Sequence, residues 1–173
     1  MRMLFEMDLK DYDENGTRFV RPSIRGIIFK DEKIALVHSL KYDYYKFPGG
    51  GGEKGEDRIT TLIREVKEEA GLVVIPESIR EYGMVHRAQK GDNEDIFVQD
   101  NYYYICDVEK EADEQGLDDY EAEEGFTLEY VTLEYAIDVN RNHDHGTKSE
   151  DSMYKVMIER EARVLEMLLK EKI

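Results

Sequence analysis

The sequence has very few cysteines and no long apolar run. Its single cysteine, Cys106, excludes a disulfide within the chain, and nothing in the sequence resembles a zinc cluster. The first residues, MRMLFEMDLKD, lack the apolar run of a signal peptide, and no later stretch is apolar enough to span a bilayer. We therefore expect a soluble, cytoplasmic protein with no membrane partner.

Positive charge is also scarce. The chain has 24 lysines and arginines against 40 aspartates and glutamates, which gives a formal net charge of −16. This balance argues against a nucleic acid polymer as partner, because binding one requires a basic face. A small anionic substrate remains compatible with it, provided that metal ions mediate the contact. The length of 173 residues fits one domain, and because no repeat or linker divides the chain, we expect residues 1–173 to form it.

Apolar patterning predicts an α/β fold with a mixed sheet and helices on its faces. The two main helices are predicted at 57–70, where Gly71 ends the helix, and at about 150–171. Short helices are expected near 76–80 and 132–138, and an acidic loop at 109–125. The predicted strands are 23–30, 33–39, 81–88, 94–108 and 126–131.

Residues 47–56 read FPGGGGEKGE and contain four consecutive glycines. Each glycine weakens a helix or strand by roughly 0.5–1 kcal/mol, so we expect this run to lie outside regular structure. One interpretation is a flexible turn. The other is a loop whose bare backbone must approach a charged ligand.

The predicted helix after the glycines has two distinct faces. At about 100° per residue, its apolar residues share one arc and three carboxylates share a neighbouring arc. Three carboxylates on adjacent turns repel one another, so they form either a solvated face or a site for hard divalent cations. The apolar residues are Ile59, Leu62, Ile63, Val66 and Ala70, and the carboxylates are Glu65, Glu68 and Glu69.

The spacing decides between these interpretations. Gly50 is followed after five residues by Glu56, and after seven more by REVKEEAGL, which ends at Leu72. This pattern resembles the box of the Nudix hydrolases with no substitution at any defining position. The resemblance implies a Nudix-type α/β/α sandwich, with a mixed sheet between helices. It also implies that Mg²⁺ or Mn²⁺ assists hydrolysis of a diphosphate linkage, mostly in a nucleoside diphosphate joined to another group.

The resemblance assigns metal ligands within the box. Glu68 and Glu69 would be the main ligands, and Glu65 would be a ligand or the residue that activates water. The glycines would let the chain fold tightly over the end of the helix, so that a backbone carbonyl, that of Gly49, also binds metal.

The remaining catalytic residues support or complete this set. Glu56 would support the site by pairing with Arg64 or holding a water, and Arg64 would orient a glutamate rather than bind substrate. Family members often add a glutamate from a distant loop, as a metal ligand or as the base. In the segment 118–131 the candidates are Glu121, Glu123 and Glu124; we favour Glu124, with Glu121 second. The alternative is that all three are solvated charges.

The strand predicted at 94–108 is the candidate substrate-binding element. Its more polar face could line a nucleotide pocket by stacking and by hydrogen bonds to a base edge, or it could belong to a half-exposed strand. The residues of this face are Phe97, Gln99, Asn101 and Tyr103.

Two further patterns resemble metal sites but are expected to be turns or loops. Residues 11–16 imitate the start of a calcium-binding loop, yet its twelfth position is Pro22, where a glutamate is required. His143 and His145 flank an aspartate, but two donors without a third seldom hold a metal.

Two other functions stay open beside the hydrolase: a nucleotide sensor without catalysis, and a binder of divalent cations. The complete set of box carboxylates favours the hydrolase. The ADP-ribose group of the family has a proline well downstream of its box, whereas the last proline here, Pro76, lies four residues past Leu72. Oxidised nucleoside triphosphates, other dNTPs and nucleotide sugars remain candidate substrates, and a homodimer is left open.

Overall fold

Two β-sheets organise the fold in the computed structural model, which describes residues 1–109 and 114–173. The strands and helices, in chain order, are β1 Met3–Asp8, β2 Arg18–Val20, β3 Ser23–Ile27, β4 Phe29–Lys30, β5 Lys33–Ser39, β6 Tyr44–Lys46, β7 Gly49–Gly51, α1 Arg58–Ala70, β8 Arg80–Lys90, β9 Ile96–Ile105, α2 Asp119–Glu124, β10 Phe126–Val131, α3 Leu133–Asn142 and α4 Ser152–Glu171. Short 3₁₀ turns lie at Pro76–Ser78 and Gly146–Ser149.

The larger sheet is mixed and carries the glycine segment at one edge. Its order is β1-β8-β9-β3-β7, and β2 pairs with β9 beside β3. β1 runs parallel to β8, and β3 runs parallel to β9, whereas β8–β9 and β3–β7 are antiparallel. The smaller sheet is antiparallel: β10 and β4 flank β5, and β6 also pairs with β5.

Helices cover both faces of the mixed sheet. Successive strand residues point to opposite faces. Ile24 and Tyr104 accordingly share a buried cluster with Leu62 and Val66 of α1, and the neighbouring strand residues share another with α4. The predicted α/β class, with a mixed sheet between helices, is confirmed. None of the helices in the described ranges is long and apolar enough to cross a membrane.

The predicted helices at 57–70 and at about 150–171 are observed as α1 and α4. The Asp57 side chain caps the first turn of α1 by accepting from the backbone N–H groups of Ile59 and Thr60. Gly71 ends this helix in the left-handed conformation, with φ 66°.

Two predictions about strands were wrong. The glycine run does form a strand: Gly49–Gly51 pairs with Ser23–Arg25. Glycine has a poor strand propensity, but it is needed here because the backbone of this strand lies very close to Ile24 and Glu65. In addition, Met3–Asp8 pairs with β8, although no strand was predicted in the first 17 residues.

The acidic segment also differs from the prediction of a loop at 109–125. Part of it falls on residues 110–113, which lie outside the described residues, and 119–124 form α2. Gly125 ends α2 with φ 68°. The helix predicted at 132–138 continues to Asn142 as α3 and packs along α4.

Candidate active site

The glycine strand lies directly against the carboxylates of α1. A Cβ atom at Gly50 would be 2.0 Å from Oε2 of Glu65. At Gly49, φ is 136° and a Cβ would be 2.1 Å from the carbonyl oxygen of Ile24. The backbone therefore approaches both its partner strand and a catalytic candidate so closely that no other residue type fits without displacement.

Arg64 binds three of the box carboxylates at once. Its Nη1 donates to Glu65 at 2.7 Å and to Glu68 at 2.8 Å, and its Nε and Nη2 donate to Glu56 at 3.0 and 2.8 Å. The Nη2 group also donates to the carbonyl of Gly51. Arg64 lowers the pKa of Glu56 to about 2. The structure thus contains the predicted Glu56–Arg64 pair.

Thr61 adds a contact that the box pattern did not reveal. Its Oγ1 donates to Oε2 of Glu56 at 2.8 Å and is buried with the side chain. In the structure, Thr61 helps to hold the carboxylate that binds Arg64.

Glu69 is buried, with 3% of its surface exposed, and is fixed from two sides. Lys46 donates to Oε1 at 2.7 Å, and the backbone N–H of Gly49 donates to Oε2 at 2.9 Å. Burial alone would raise the pKa of Glu69, but the charges of Lys46 and Arg25 outweigh it and hold this pKa below its usual value. Glu69 is therefore a carboxylate anion with a defined orientation.

A fourth carboxylate reaches the same place from α2. Glu65, Glu68, Glu69 and Glu121 line one cavity of about 370 Å³ beside the glycine strand. Burial raises the pKa of Glu65, and burial together with the neighbouring Glu69 raises that of Glu121. Both shifts have the same cause, since partial burial and the nearby Glu69 carboxylate each disfavour the charged form.

The preference for Glu124 over Glu121 needs correction. Glu124 is buried elsewhere: its carboxylate accepts from Tyr44 at 2.8 Å and pairs with Lys148 at 3.1 Å. Glu123 is exposed and pairs with Lys41. Of the three, the structure brings only Glu121 to the cavity. Glu123, two positions on, points to the opposite side of α2, whereas Glu124, about one turn on, is held by Tyr44, Tyr154 and Lys148.

The donors in this cavity suit a hard divalent cation, which takes oxygen ligands. In the described part of the chain, however, no three metal-binding side chains already converge on one point. The chain's own cations bind these oxygens: Arg64 contacts Glu65 and Glu68, and Lys46 contacts Glu69. The Gly49 carbonyl, the other expected ligand, accepts a hydrogen bond from Arg25. Each carboxylate oxygen has two lone pairs, so a hydrogen bond from one of these partners leaves a second lone pair for a metal.

The predicted substrate residues of β9 lie apart from the carboxylates. Asn101 and Tyr103 are fully buried, and the Tyr103 hydroxyl contacts Arg160 and Glu161 of α4. Gln99 accepts from Arg160, and Phe97 packs beside Arg87. These side chains lie beneath α4, and their role in substrate binding stays a prediction.

The patterns that resembled metal sites have other partners. The Asp13 side chain accepts from the backbone of Asn15, as in an ordinary turn. His143 pairs with Asp43, and the ring of His145 contacts backbone carbonyls of residues 42 and 43.

Sequence reasoning missed three basic residues around the cavity: Arg21, Arg25 and Lys46. They lie outside the box, and even the shortest of these separations, from Lys46 to Glu69, is 23 positions, so helical spacing could not relate them to the glutamates. The available signal was their position, since RPSIR runs into β3 and KFPGG runs into β7, the two strands beside this site, in a chain poor in cations.

Comparisons with known proteins agree on one family. A family model described as NUDIX domain matches residues 20–150. An ADP-ribose pyrophosphatase from Methanocaldococcus jannaschii is 34% identical over 77 residues, which are 42% of this chain and 43% of that protein. The chain therefore spans less than half the length of this curated relative.

Solved structures agree in fold. A NUDIX hydrolase from Nitrosomonas europaea matches with a TM-score of 0.55 and 19% identity, over 72% of this chain and 80% of that one. A MutT NUDIX hydrolase from Burkholderia pseudomallei matches with a TM-score of 0.52 and 16% identity, over 67% and 85%. Because the family model covers well over half of the sequence and the glycine strand, helix and carboxylates are all in place, this chain belongs to the Nudix family.

Proposed function

We propose that this protein is a metal-dependent hydrolase that cleaves a diphosphate linkage in a nucleoside diphosphate joined to another group. The observation that carries the proposal is the cavity beside the glycine strand that Glu65, Glu68, Glu69 and Glu121 line. When bound there, Mg²⁺ or Mn²⁺ would polarise phosphoryl oxygens and lower the pKa of a water molecule.

The chain's own residues prepare this site before any ligand binds. Gly49 and Lys46 fix the two oxygens of Glu69, and Arg64 orients Glu65 and Glu68. Preorganised groups need little rearrangement during the reaction, which is the main source of electrostatic catalysis. In this proposal Glu68 and Glu69 hold the metal, and Arg64 positions carboxylates without contacting substrate.

Two carboxylates compete for the role of base, which accepts the proton of the attacking water. Glu65 and Glu121 both line the cavity, and burial raises the pKa of each. A higher pKa makes a carboxylate a stronger base near neutral pH. Glu121 takes the place in the proposal that Glu124 held in the sequence-based prediction.

ADP-ribose is the first substrate to test, because the curated relative is an ADP-ribose pyrophosphatase. The downstream proline expected for that group is missing, so nucleotide sugars, dNTPs and oxidised nucleoside triphosphates belong in the same assay. The proposal keeps the cytoplasmic location expected from the sequence. A sensor without catalysis is the competing function, and turnover separates the two.

The first experiment tests metal dependence and the ligands. After metal removal the protein should be inactive, and Mg²⁺ or Mn²⁺ should restore hydrolysis of at least one compound. Glu69→Gln should lower kcat by about 10² or more, because electrostatic contributions of this kind are worth several kcal/mol. Full turnover in excess chelator, or wild-type kcat in Glu69→Gln, would overturn the mechanism.

The second comparison separates the two candidate bases. Glu121→Gln should lower kcat by about 10² with little change in KM, because the substrate does not rely on this carboxylate for binding. The matched control is Glu123→Gln on the same helix, whose exposed carboxylate pairs with Lys41 and should leave kcat unchanged. Near-normal kcat in Glu121→Gln at saturating metal and substrate would place the base at Glu65.

A further inference from the structure

Arg21 lies on the wall of the carboxylate cavity that the glycine strand forms. Its backbone N–H donates to the carbonyl of Val98 at 3.0 Å, which fixes the residue to β9. Its side chain runs across Gly51, where a Cβ atom would be 2.8 Å from the Arg21 Nε. Gly51 therefore leaves the space that lets this guanidinium reach the cavity, which it lines together with Glu65, Glu68 and Glu69.

The donors of Arg21 are uncommitted, in contrast to those of the other guanidinium in the cavity. Arg64 donates to three carboxylates and to the Gly51 carbonyl. Within 1–109 and 114–173, no carboxylate lies at ion-pair distance from Arg21, and its side chain makes no hydrogen bond. A guanidinium beside so many carboxylates that pairs with none of them is available to a ligand.

The sheet face that carries Arg21 contains further unsatisfied polar atoms. Arg21, Ser23 and Arg25 alternate along the chain and so point to the same side. The Ser23 Oγ, the Arg25 Nε and the Oδ1 of Asn101, which pairs with Ser23 across the sheet, are buried without a partner among the described residues. These three atoms are enclosed by protein and do not line the cavity, so among them and Arg21 only the Arg21 side chain can reach a ligand there.

We propose that Arg21 binds the non-bridging oxygens of the substrate's diphosphate. The planar guanidinium matches phosphate oxygens with two parallel hydrogen bonds, which an ammonium group cannot do. An acidic cavity in a chain of net charge −16 repels a diphosphate, and metal ions bound to the carboxylates offset part of this repulsion. Arg21, whose side chain passes over Gly51, supplies positive charge to this cavity. This inference rests on the proposed function, since it names the group that holds the substrate.

The test measures binding of methylenediphosphonate, a diphosphate analogue that cannot be hydrolysed, to the Mn²⁺-loaded protein by calorimetry. Arg21→Met should weaken binding about tenfold or more, because charge-assisted hydrogen bonds are lost. Arg21→Lys should recover part of this loss, since it keeps the charge without the fork. In hydrolysis, KM for the active compound should rise about tenfold or more in Arg21→Met.

Arg18→Met is the matched control. Arg18 is an exposed arginine on β2 whose side chain contacts only the Glu14 carbonyl among the described residues, so its removal should leave binding unchanged. Mn²⁺ affinity without analogue, and melting in chelator, should be equal in Arg21→Met and wild type, because Arg21 holds no carboxylate. These two readouts separate a lost phosphate contact from a disturbed metal site or fold.

Each result points to one conclusion. Binding of the analogue by Arg21→Met within twofold of wild type, or no binding by wild type with Mn²⁺, overturns the assignment of Arg21. If Arg21→Met loses the analogue while wild type hydrolyses nothing in the panel, the hydrolase proposal fails and the phosphate site stands. If wild type hydrolyses a compound and Arg21→Met binds normally, the hydrolase stands and the Arg21 assignment fails.

Discussion

At the scale of single residues, two adjacent glycines have different physical reasons to be there. At Gly49 a side chain would collide with backbone, and φ is positive. At Gly50 the obstacle is the carboxylate end of Glu65, a flexible side chain that can move away. The same substitution should therefore affect stability at one position and chemistry at the other.

We predict that Gly50→Ala keeps its melting temperature within a few degrees of wild type but lowers kcat by about 10-fold or more, because the new methyl group displaces Glu65 and geometry of this kind is worth large factors in rate. Gly49→Ala should instead lose about 1–3 kcal/mol of stability through backbone strain. Thermal melting in chelator and steady-state kinetics check both. Equal stability losses in the two variants would contradict this distinction.

The sequence predicted the residues of the site that lie on one helix, and it failed for those that depend on tertiary contacts. Glu65, Glu68 and Glu69 follow from helical spacing, and the Arg64–Glu56 pair from the box pattern. The Lys46–Glu69 ion pair joins β6 to α1 across 23 positions, and no local pattern encodes it. Choosing Glu121 rather than Glu124 likewise required the direction of α2.

At the scale of elements, α2 has one carboxylate in the cavity and another that anchors the helix. Glu124 is 6% exposed and accepts from Tyr44 at 2.8 Å and from Tyr154 at 3.2 Å, and Lys148 pairs with it. These partners come from β6, from α4 and from the turn before α4. Since α2 is only six residues long, its anchoring should determine where Glu121 points.

We predict that Glu124→Ala lowers kcat about 10-fold by releasing α2, and that it causes no further loss on the Glu121→Gln background. Tyr44→Phe, which removes one anchoring hydrogen bond, should have a smaller effect. A double-mutant cycle for kcat at a temperature well below the melting point measures this coupling. If Glu124→Ala lowers kcat by the same factor on both backgrounds, Glu124 does not act through Glu121.

The element predictions failed for two reasons: long-range pairing overrode local propensity at 49–51, and capping at both ends made a helix of 119–124. Glycine propensity argues against a strand at 49–51, yet pairing with β3 and the hydrogen bond from Gly49 to Glu69 place one there. The acidic residues of 118–124 suggested a loop. Capping by Glu121, which accepts from the Asp118 N–H, and the left-handed Gly125 make the segment a short helix.

At the scale of the whole molecule, α4 is joined to both the mixed sheet and the approach to the glycine strand by one buried ion pair. Glu161 is fully buried and accepts from Arg160 at 2.9 Å, from the Phe47 backbone at 2.9 Å and from Tyr103 at 3.3 Å. β1 and the whole of α4 lie outside the family match at 20–150, yet both pack on the same core. These contacts support the prediction that residues 1–173 form one domain.

We therefore predict a single unfolding transition that Glu161→Gln shifts as a whole. Removing one partner of a buried pair leaves Arg160 uncompensated, which should cost about 3–5 kcal/mol. Glu159→Gln is the matched control, because its exposed pair with Arg141 is worth about 0–1 kcal/mol. Urea unfolding can be followed by far-UV circular dichroism and by tyrosine fluorescence, since the chain has 12 tyrosines and no tryptophan. Within each of the three proteins, the curves from the two probes should coincide. Two separated transitions, or a shift seen by one probe alone, would mean that α4 unfolds independently of the sheets.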